Sequence, residues 1–118
     1  MSTPGFSVVI PLYNKYEEIE RSICSVLNQS FESFELIVIN DGSTDGGDQL
    51  VEQIDDHRIR LVHQANAGVS AARNHGIREA QSPFIAFLDA DDIWKPGFLA
   101  TIYDLIKRYP QAGAYGTA

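Results

Sequence analysis

The sequence predicts an α/β fold: three layers, α/β/α, around a mostly parallel sheet. Three features carry that prediction. Short β-rich runs alternate with longer segments of helical periodicity along the chain. Three of the four runs are apolar nearly throughout, which suits strands covered on both faces. Strand, helix, strand, helix at this spacing also calls for right-handed crossovers between parallel strands.

Taken in order, the first strand is Phe6 to Pro11 (FSVVIP). Ile19, Ile23, Val26 and Leu27 then fall at i, i+4, i+7 and i+8, one face of a helix expected to begin near Lys15. Glu35 to Asn40 (ELIVIN) is the second strand, followed by a helix that starts near Ser43 or Thr44 and carries Leu50, Val51 and Ile54. Arg58 to His63 (RIRLVH) is the third strand. The helix after it spans about Gly68 to Ala80, with the mostly small residues Val69, Ala72, Gly76, Ile77 and Ala80 facing inward. Phe84 to Leu88 (FIAFL) is the fourth strand, and the last helix opens at Pro96, a favoured first-turn residue, burying Leu99, Ile102, Leu105 and Ile106. After Pro110 the segment AGAYGTA reads as the start of a further strand. An open edge there needs a partner, so the chain is expected to be a truncated piece of a longer protein.

Composition narrows the function classes. A chain of 118 residues suits one compact domain that needs no staples. No apolar run approaches the roughly 20 residues that cross a bilayer, and Met1 leads into polar residues without a signal-peptide pattern. The expectation is a soluble, cytoplasmic protein. Cys24 is the single cysteine, which rules out an internal disulfide, and it is expected to pack in the core. A net charge of −7 argues against nucleic acid or an acidic membrane as partner through a broad basic face. It leaves room for a small anion carried by a divalent cation.

In an open parallel sheet, ligands sit beyond the carboxyl ends of the strands. The polar clusters all fall there: PLYNK (Pro11 to Lys15), DGSTD (Asp41 to Asp45), QANAGVSAARN (Gln64 to Asn74) and DADD (Asp89 to Asp92). One shared pocket explains them more simply than separate accidents. Asp89 and Asp91 stand two positions apart, so extended backbone turns both to one side and Ala90 away. Hard oxygen ligands of that kind suit Mg²⁺ or Mn²⁺ with open positions for phosphate oxygens. Taken alone, D-x-D more often ends a strand or caps a helix; here the buried strand end and the partner loops favour the site. Asp41 either accepts an N–H from a nucleobase such as uracil, thymine or guanine, or serves as a turn residue ahead of a Ser43 or Thr44 cap. Arg73 is either a solvated helix residue or, among the small residues Ala71, Ala72 and Gly76, a guanidinium turned inward onto a base or phosphate.

Taken together, SVVIPLYNKYEEIERSICSVLNQSFESFELIVINDGSTDGG, NAGVSAARNHGI and FIAFLDADDIWKPG resemble successive signatures of glycosyltransferase family 2 on a GT-A (Rossmann-like) fold, from Ser7 to about Ala114. The resemblance implies an inverting transferase that uses a nucleotide-sugar donor of UDP type, with residues 1–118 forming the donor-binding half of the domain. Carried over by position, it places Pro11 and Tyr13 beside the nucleobase, Asp41 in a hydrogen bond to it and Arg73 against the nucleotide. Asp89 then meets the ribose and Asp91 the Mn²⁺ or Mg²⁺ on the diphosphate, with Asp92 in the same acidic run. It further implies a saccharide or glycolipid acceptor, a role in cell-envelope polysaccharide synthesis and peripheral membrane association through parts outside this chain. The general base is expected beyond Ala118, while His57, His63 and His75 match no base position and read as structural or exposed.

Rival classes lack their own signatures. A signalling receiver domain concentrates acids after its first and third strands, where this chain has Tyr13–Asn14 and Gln64. A dinucleotide oxidoreductase carries G-x-G-x-x-G after the first strand, and PLYNKY supplies none. A noncatalytic nucleotide-sugar-binding module fits the same residues and stands as the alternative.

Overall fold

The structure, a computed structural model, describes residues 3–110; the AGAYGTA segment lies outside them. Its elements in chain order are β1 (Phe6–Leu12), α1 (Ile19–Leu27), β2 (Phe34–Asp41), α2 (Gly47–Glu52), β3 (Ile59–Gln64), α3 (Val69–Glu79), β4 (Ile85–Phe87) and α4 (Phe98–Arg108). The strands form one sheet in the order β3-β2-β1-β4, and all three pairings are parallel. The first two crossovers step outward from β1, and the third returns to its other side. Strand order therefore reverses between β1 and β4, with the carboxyl ends of all the strands at one edge.

Alternation along the strands builds the layers. Phe6, Val8, Ile10 and Leu12 of β1 join Phe34, Leu36 and Val38 of β2 against Ile19, Ile23 and Val26 of α1, Val51 of α2 and Leu99 and Ile102 of α4. The intervening residues Val9, Ile37 and Ile39 face Ala72 of α3 on the other side. The three-layer α/β/α arrangement is thus the one the apolar runs predict. No helix among the described residues is long and apolar enough to cross a membrane.

Several local expectations are corrected. Helix α3 packs through a narrow stripe, with Ala72 and Gly76 buried and Ala80 partly covered, while Val69 and Ile77 are exposed. Small residues bring the helix axis so close to the sheet that only side chains pointing straight at it are covered. Cys24 is exposed, because it lies about 100° around α1 from the buried Ile23. Phe84 and Phe87 are also exposed, since β4 is an edge strand among the described residues. Helix α2 starts at Gly47 rather than Ser43 or Thr44, whose polar groups are engaged by the loop after β1. Helix α4 starts at Phe98, and the carbonyl of Pro96 instead accepts the Ser30 N–H at 2.9 Å.

The entry to β3 is fixed by charge. Asp56 accepts three hydrogen bonds from Arg58, from its backbone N–H, Nε and a terminal guanidinium nitrogen, at 2.9 to 3.0 Å. The guanidinium also lies 4.5 Å from the Phe34 ring centroid. Its side-chain hydrogen bonds hold the Asp56 carboxyl down at about 2, against an ordinary 3.8, in spite of partial burial.

Two outcomes follow from this packing. A Cβ on Gly76 would overlap Val9 Cγ1 and approach Cγ2 to 2.9 Å. Overpacking of that kind costs about 1–3 kcal/mol, against the ~1 kcal/mol that alanine gains over glycine in a helix. Gly76→Ala is therefore expected to lower Tm in a thermal melt, and a raised Tm would show that α3 can move off the sheet. Because the carboxyl of Asp56 is depressed in the folded state, its stabilisation is full above about pH 4 and is lost as pH falls through about 2. Urea unfolding should find Asp56→Asn less stable by about 1 kcal/mol at pH 7, with the gap to wild type narrowing as the pH drops from 4 to 2.

Candidate functional site

The loops at the carboxyl edge are sewn to one another. Asn14, in the left-handed region at φ 52°, accepts the Thr44 N–H on Oδ1 at 2.8 Å and donates its own N–H to Ser43 Oγ at 3.1 Å. Asp45 accepts the Tyr16 N–H at 2.9 Å. Asn is one of the few side chains that tolerate this backbone conformation. The β1–α1 loop therefore has its shape set by the β2–α2 loop, which fixes the backbone carrying Tyr13 and Lys15.

Asp41, at the end of β2, is 3% exposed. Its Oδ1 accepts from Gln64 Nε2 and the Ala67 N–H, each at 2.8 Å. Oδ2 accepts the Gly68 N–H at 3.0 Å and lies 3.4 Å from Asn66 Nδ2. The side chain thus organises the β3–α3 loop rather than its own turn; that turn is closed by Asn40, whose Oδ1 accepts the Ser43 N–H. Gly42 takes φ +73° and lies close to Asn66, and Gly68 takes φ +97°. Both are conformations that residues with a Cβ rarely adopt.

The DADD segment is a turn, not the extended stretch its spacing suggested: the Asp92 N–H donates to the Asp89 carbonyl at 3.0 Å. Ala90 is buried while Asp89, Asp91 and Asp92 are exposed, and one carboxylate oxygen from each lies within 4.8 Å of the others. The turn is held from below by α1. The Ser22 hydroxyl, buried, lies 2.7 Å from the Ala90 carbonyl and 2.5 Å from that of Asp92. Ser25 Oγ accepts the Trp94 N–H, and the Gln29 side chain donates to the Lys95 carbonyl and accepts the Leu99 N–H. Ser22 and Ser25 of α1, with Gln29 just beyond its end, form one polar ridge that grips residues 90–99 beside the aliphatic residues the helix buries.

These pieces enclose a cleft of about 600 Å³ at the strand-order reversal, lined by Pro11, Leu12, Tyr13, Lys15, Asp41, Asn66, Gly68, Val69, Arg73, Asp89, Ala90 and Asp91. All six residues singled out from the sequence, Pro11, Tyr13, Asp41, Arg73, Asp89 and Asp91, share it. Asp92 faces a smaller adjoining pocket with Phe87, Ile93 and Trp94. Two ion pairs cross the cleft mouth, Arg73 to Asp89 at 3.1 Å and Lys15 to Asp91 at 3.4 Å. Arg73 Nε is buried with no hydrogen-bond partner among the described residues. None of the three histidines lines the cleft; His75 Nδ1 is 2.9 Å from Gln64 Oε1 and His63 Nδ1 is 3.0 Å from Asn40 Nδ2. Lys15 and the α1 ridge drew no role from sequence, although a serine at the core-facing position 22, between Ile19 and Ile23, is a signal that could have been read.

The family model described as "Glycosyl transferase family 2" matches residues 7–118. The chain belongs to this family. The minor teichoic acid biosynthesis protein GgaA of Bacillus subtilis is 42% identical over 107 residues, 84% of this chain and 24% of its own. Among solved structures, S. aureus TarS in complex with UDP-GlcNAc superposes with a TM-score of 0.84 at 26% identity, covering 96% of this chain and 36% of that one. The mannosyltransferase PcManGT from Pyrobaculum calidifontis, in complex with GDP-Man and Mn²⁺, gives 0.80 at 26% identity over 89% of this chain and 33% of its own. These neighbours place the fold in the GT-A type. The chain spans between 13% and 38% of the length of the curated relatives it matches.

Removing the Ser22 hydroxyl takes away the one proton that the Ala90 and Asp92 carbonyls share and leaves the buried Ala90 contact without its donor, which costs about 1–3 kcal/mol. Ser22→Ala should lower Tm and raise amide exchange at Asp92 and Trp94 above that at β1. Uniform exchange across the chain would show that the ridge does not hold the turn.

Proposed function

We propose that the chain is the donor-binding portion of an inverting glycosyltransferase that moves a sugar from a UDP-type donor to a hydroxyl of a saccharide or glycolipid acceptor. The observation that carries this reading is the single cleft that gathers Pro11, Tyr13, Asp41, Arg73, Asp89 and Asp91 at the strand-order reversal. Pro11 and the half-exposed Tyr13 border the base. Asp41 takes the base N–H on Oδ2, whose contact to Asn66 is the long one at 3.4 Å. Uracil and guanine, the bases of the donors bound by TarS and PcManGT, both offer such a donor. Arg73 supplies its unpartnered Nε to the nucleotide, and Asp89 accepts from the ribose hydroxyls.

The acidic turn suits Mn²⁺ or Mg²⁺: its donors are all carboxylate oxygens, they converge, and they are exposed enough to leave positions for phosphate. Asp91 is the residue proposed to hold the ion. A cation bound there neutralises negative charge as it develops on the departing diphosphate. In the transfer the bond from the sugar carbon to the diphosphate oxygen breaks, the acceptor oxygen bonds the same carbon from the opposite face, and the hydroxyl proton passes to a base. Similarity to GgaA supports an envelope-polymer product for the whole protein.

Calorimetry with UDP, with and without Mn²⁺, on the chain and on Asp91→Ala tests the reading. Mn²⁺ should tighten UDP binding by about tenfold, or ~1.4 kcal/mol, and Asp91→Ala should abolish that gain without a change in Tm. UDP binding indifferent to both metal and replacement would overturn the cation role. Absence of UDP binding under either condition would overturn the donor site.

A further inference from the structure

We propose that Lys15 is a diphosphate-binding residue of this cleft, held on Asp91 until a divalent cation displaces it. The inference rests on the donor-site reading above and assigns a group that reading leaves out. Among the described residues lining the cleft, only Lys15 and Arg73 carry positive charge. Arg73 pairs with Asp89 at 3.1 Å and lies 6.0 Å from the Phe87 ring centroid, and the donor-site reading already gives it to the nucleotide. Lys15 has no part in that reading and pairs with the carboxylate proposed to hold the ion. Its ammonium lies 3.4 Å from Asp91 Oδ2, and the two side chains are 42% and 49% exposed. A pair so solvated is weakly held and exchanges readily.

The backbone of Lys15, in contrast, is pinned on both sides. Asn14 is bound to Ser43 and Thr44, the Tyr16 N–H to Asp45, and the Lys15 carbonyl accepts the Ile19 N–H at 2.9 Å as the first bond leading into α1. A flexible four-carbon stem on a fixed root gives the ammonium a short arc within the cleft and little reach elsewhere. In that arc its partners change with occupancy. Without ligand, Lys15 supplies the positive charge that Asp91 lacks. A cation on Asp91 takes that carboxylate and repels the ammonium, and a diphosphate on the cation offers new oxygens beside it. Lys15 therefore competes with the metal when the metal is alone and cooperates with it when diphosphate is present. That reversal of sign separates the proposal from a generic effect of surface charge.

The test uses the chain and Lys15→Met, which keeps the stem and removes the charge. Mn²⁺ alone, titrated by the paramagnetic signal of the free ion, should bind Lys15→Met about two- to fivefold more tightly. UDP in saturating Mn²⁺ should bind about tenfold more weakly by calorimetry, and Lys15→Arg should recover most of that loss. Uridine, which has no phosphate, should bind both forms alike by ligand-observed NMR. Unchanged affinities for Mn²⁺ and UDP, or an equal loss for UDP and uridine, would overturn the role of Lys15. Wild-type protein that binds no UDP in Mn²⁺ would overturn the donor site itself, whereas normal UDP binding indifferent to Lys15→Met would overturn this inference alone.

Discussion

The Asp41 carboxylate is buried at the end of the central strand β2, and burying an ionised group is tolerated only where donors surround it. Its donors come from a single loop: the backbone N–H groups of Ala67 and Gly68 and the side chains of Gln64 and Asn66. One charge thereby fixes the path from β3 into α3. The start of α3 sets the rotation of that helix, which turns Ala72 and Gly76 onto the sheet and carries Arg73 to the cleft, where it pairs with Asp89. A replacement at Asp41 would consequently act at a distance, through the helix.

The acids of the 89–92 turn solve the opposite problem. They are exposed, so their mutual repulsion is damped by water and by the nearby Lys15 and Arg73. What needs enforcement there is the backbone, whose carbonyls at Ala90 and Asp92 turn into the protein while the carboxylates turn out. The hydroxyl of Ser22 meets both carbonyls, and Ser25 on α1 and Gln29 just beyond its end continue the same service. The first helix thus contributes aliphatic side chains to the core and a register of polar contacts to a loop about 70 residues away in sequence.

The fold was legible because three of the four strands are apolar nearly throughout and the polar clusters recur at strand ends; those two patterns point to a parallel sheet with its polar loops at one edge. The co-location of Tyr13, Asp41, Arg73 and Asp91 followed from the same topology. Local periodicity failed where tertiary contact decides. Ser43 and Thr44 look like helix caps, but Asn14 engages them, and α2 begins only at Gly47. Val69 and Ile77 look buried on α3, but the closeness allowed by Gly76 leaves room only for the smallest side chains. Ser22 and Lys15 carry no local signature of their partners, which lie 68 and 76 residues further along the chain at Ala90 and Asp91.

The distribution of hydrogen bonds on Asp41 also constrains how the cleft can respond to a ligand. Oδ1 is saturated by two bonds of 2.8 Å, whereas Oδ2 holds one at 3.0 Å and a long contact to Asn66. An incoming N–H meets least resistance at Oδ2, where it displaces only the Asn66 amide. That amide keeps its 3.0 Å bond to the Asp41 backbone carbonyl, so the loop remains anchored while the carboxylate turns part of its capacity outward. On the proposed reading Asp41 both builds the wall of the cleft and meets the ligand, so the donors that hold its carboxylate in the folded chain also limit how it can accept an incoming N–H.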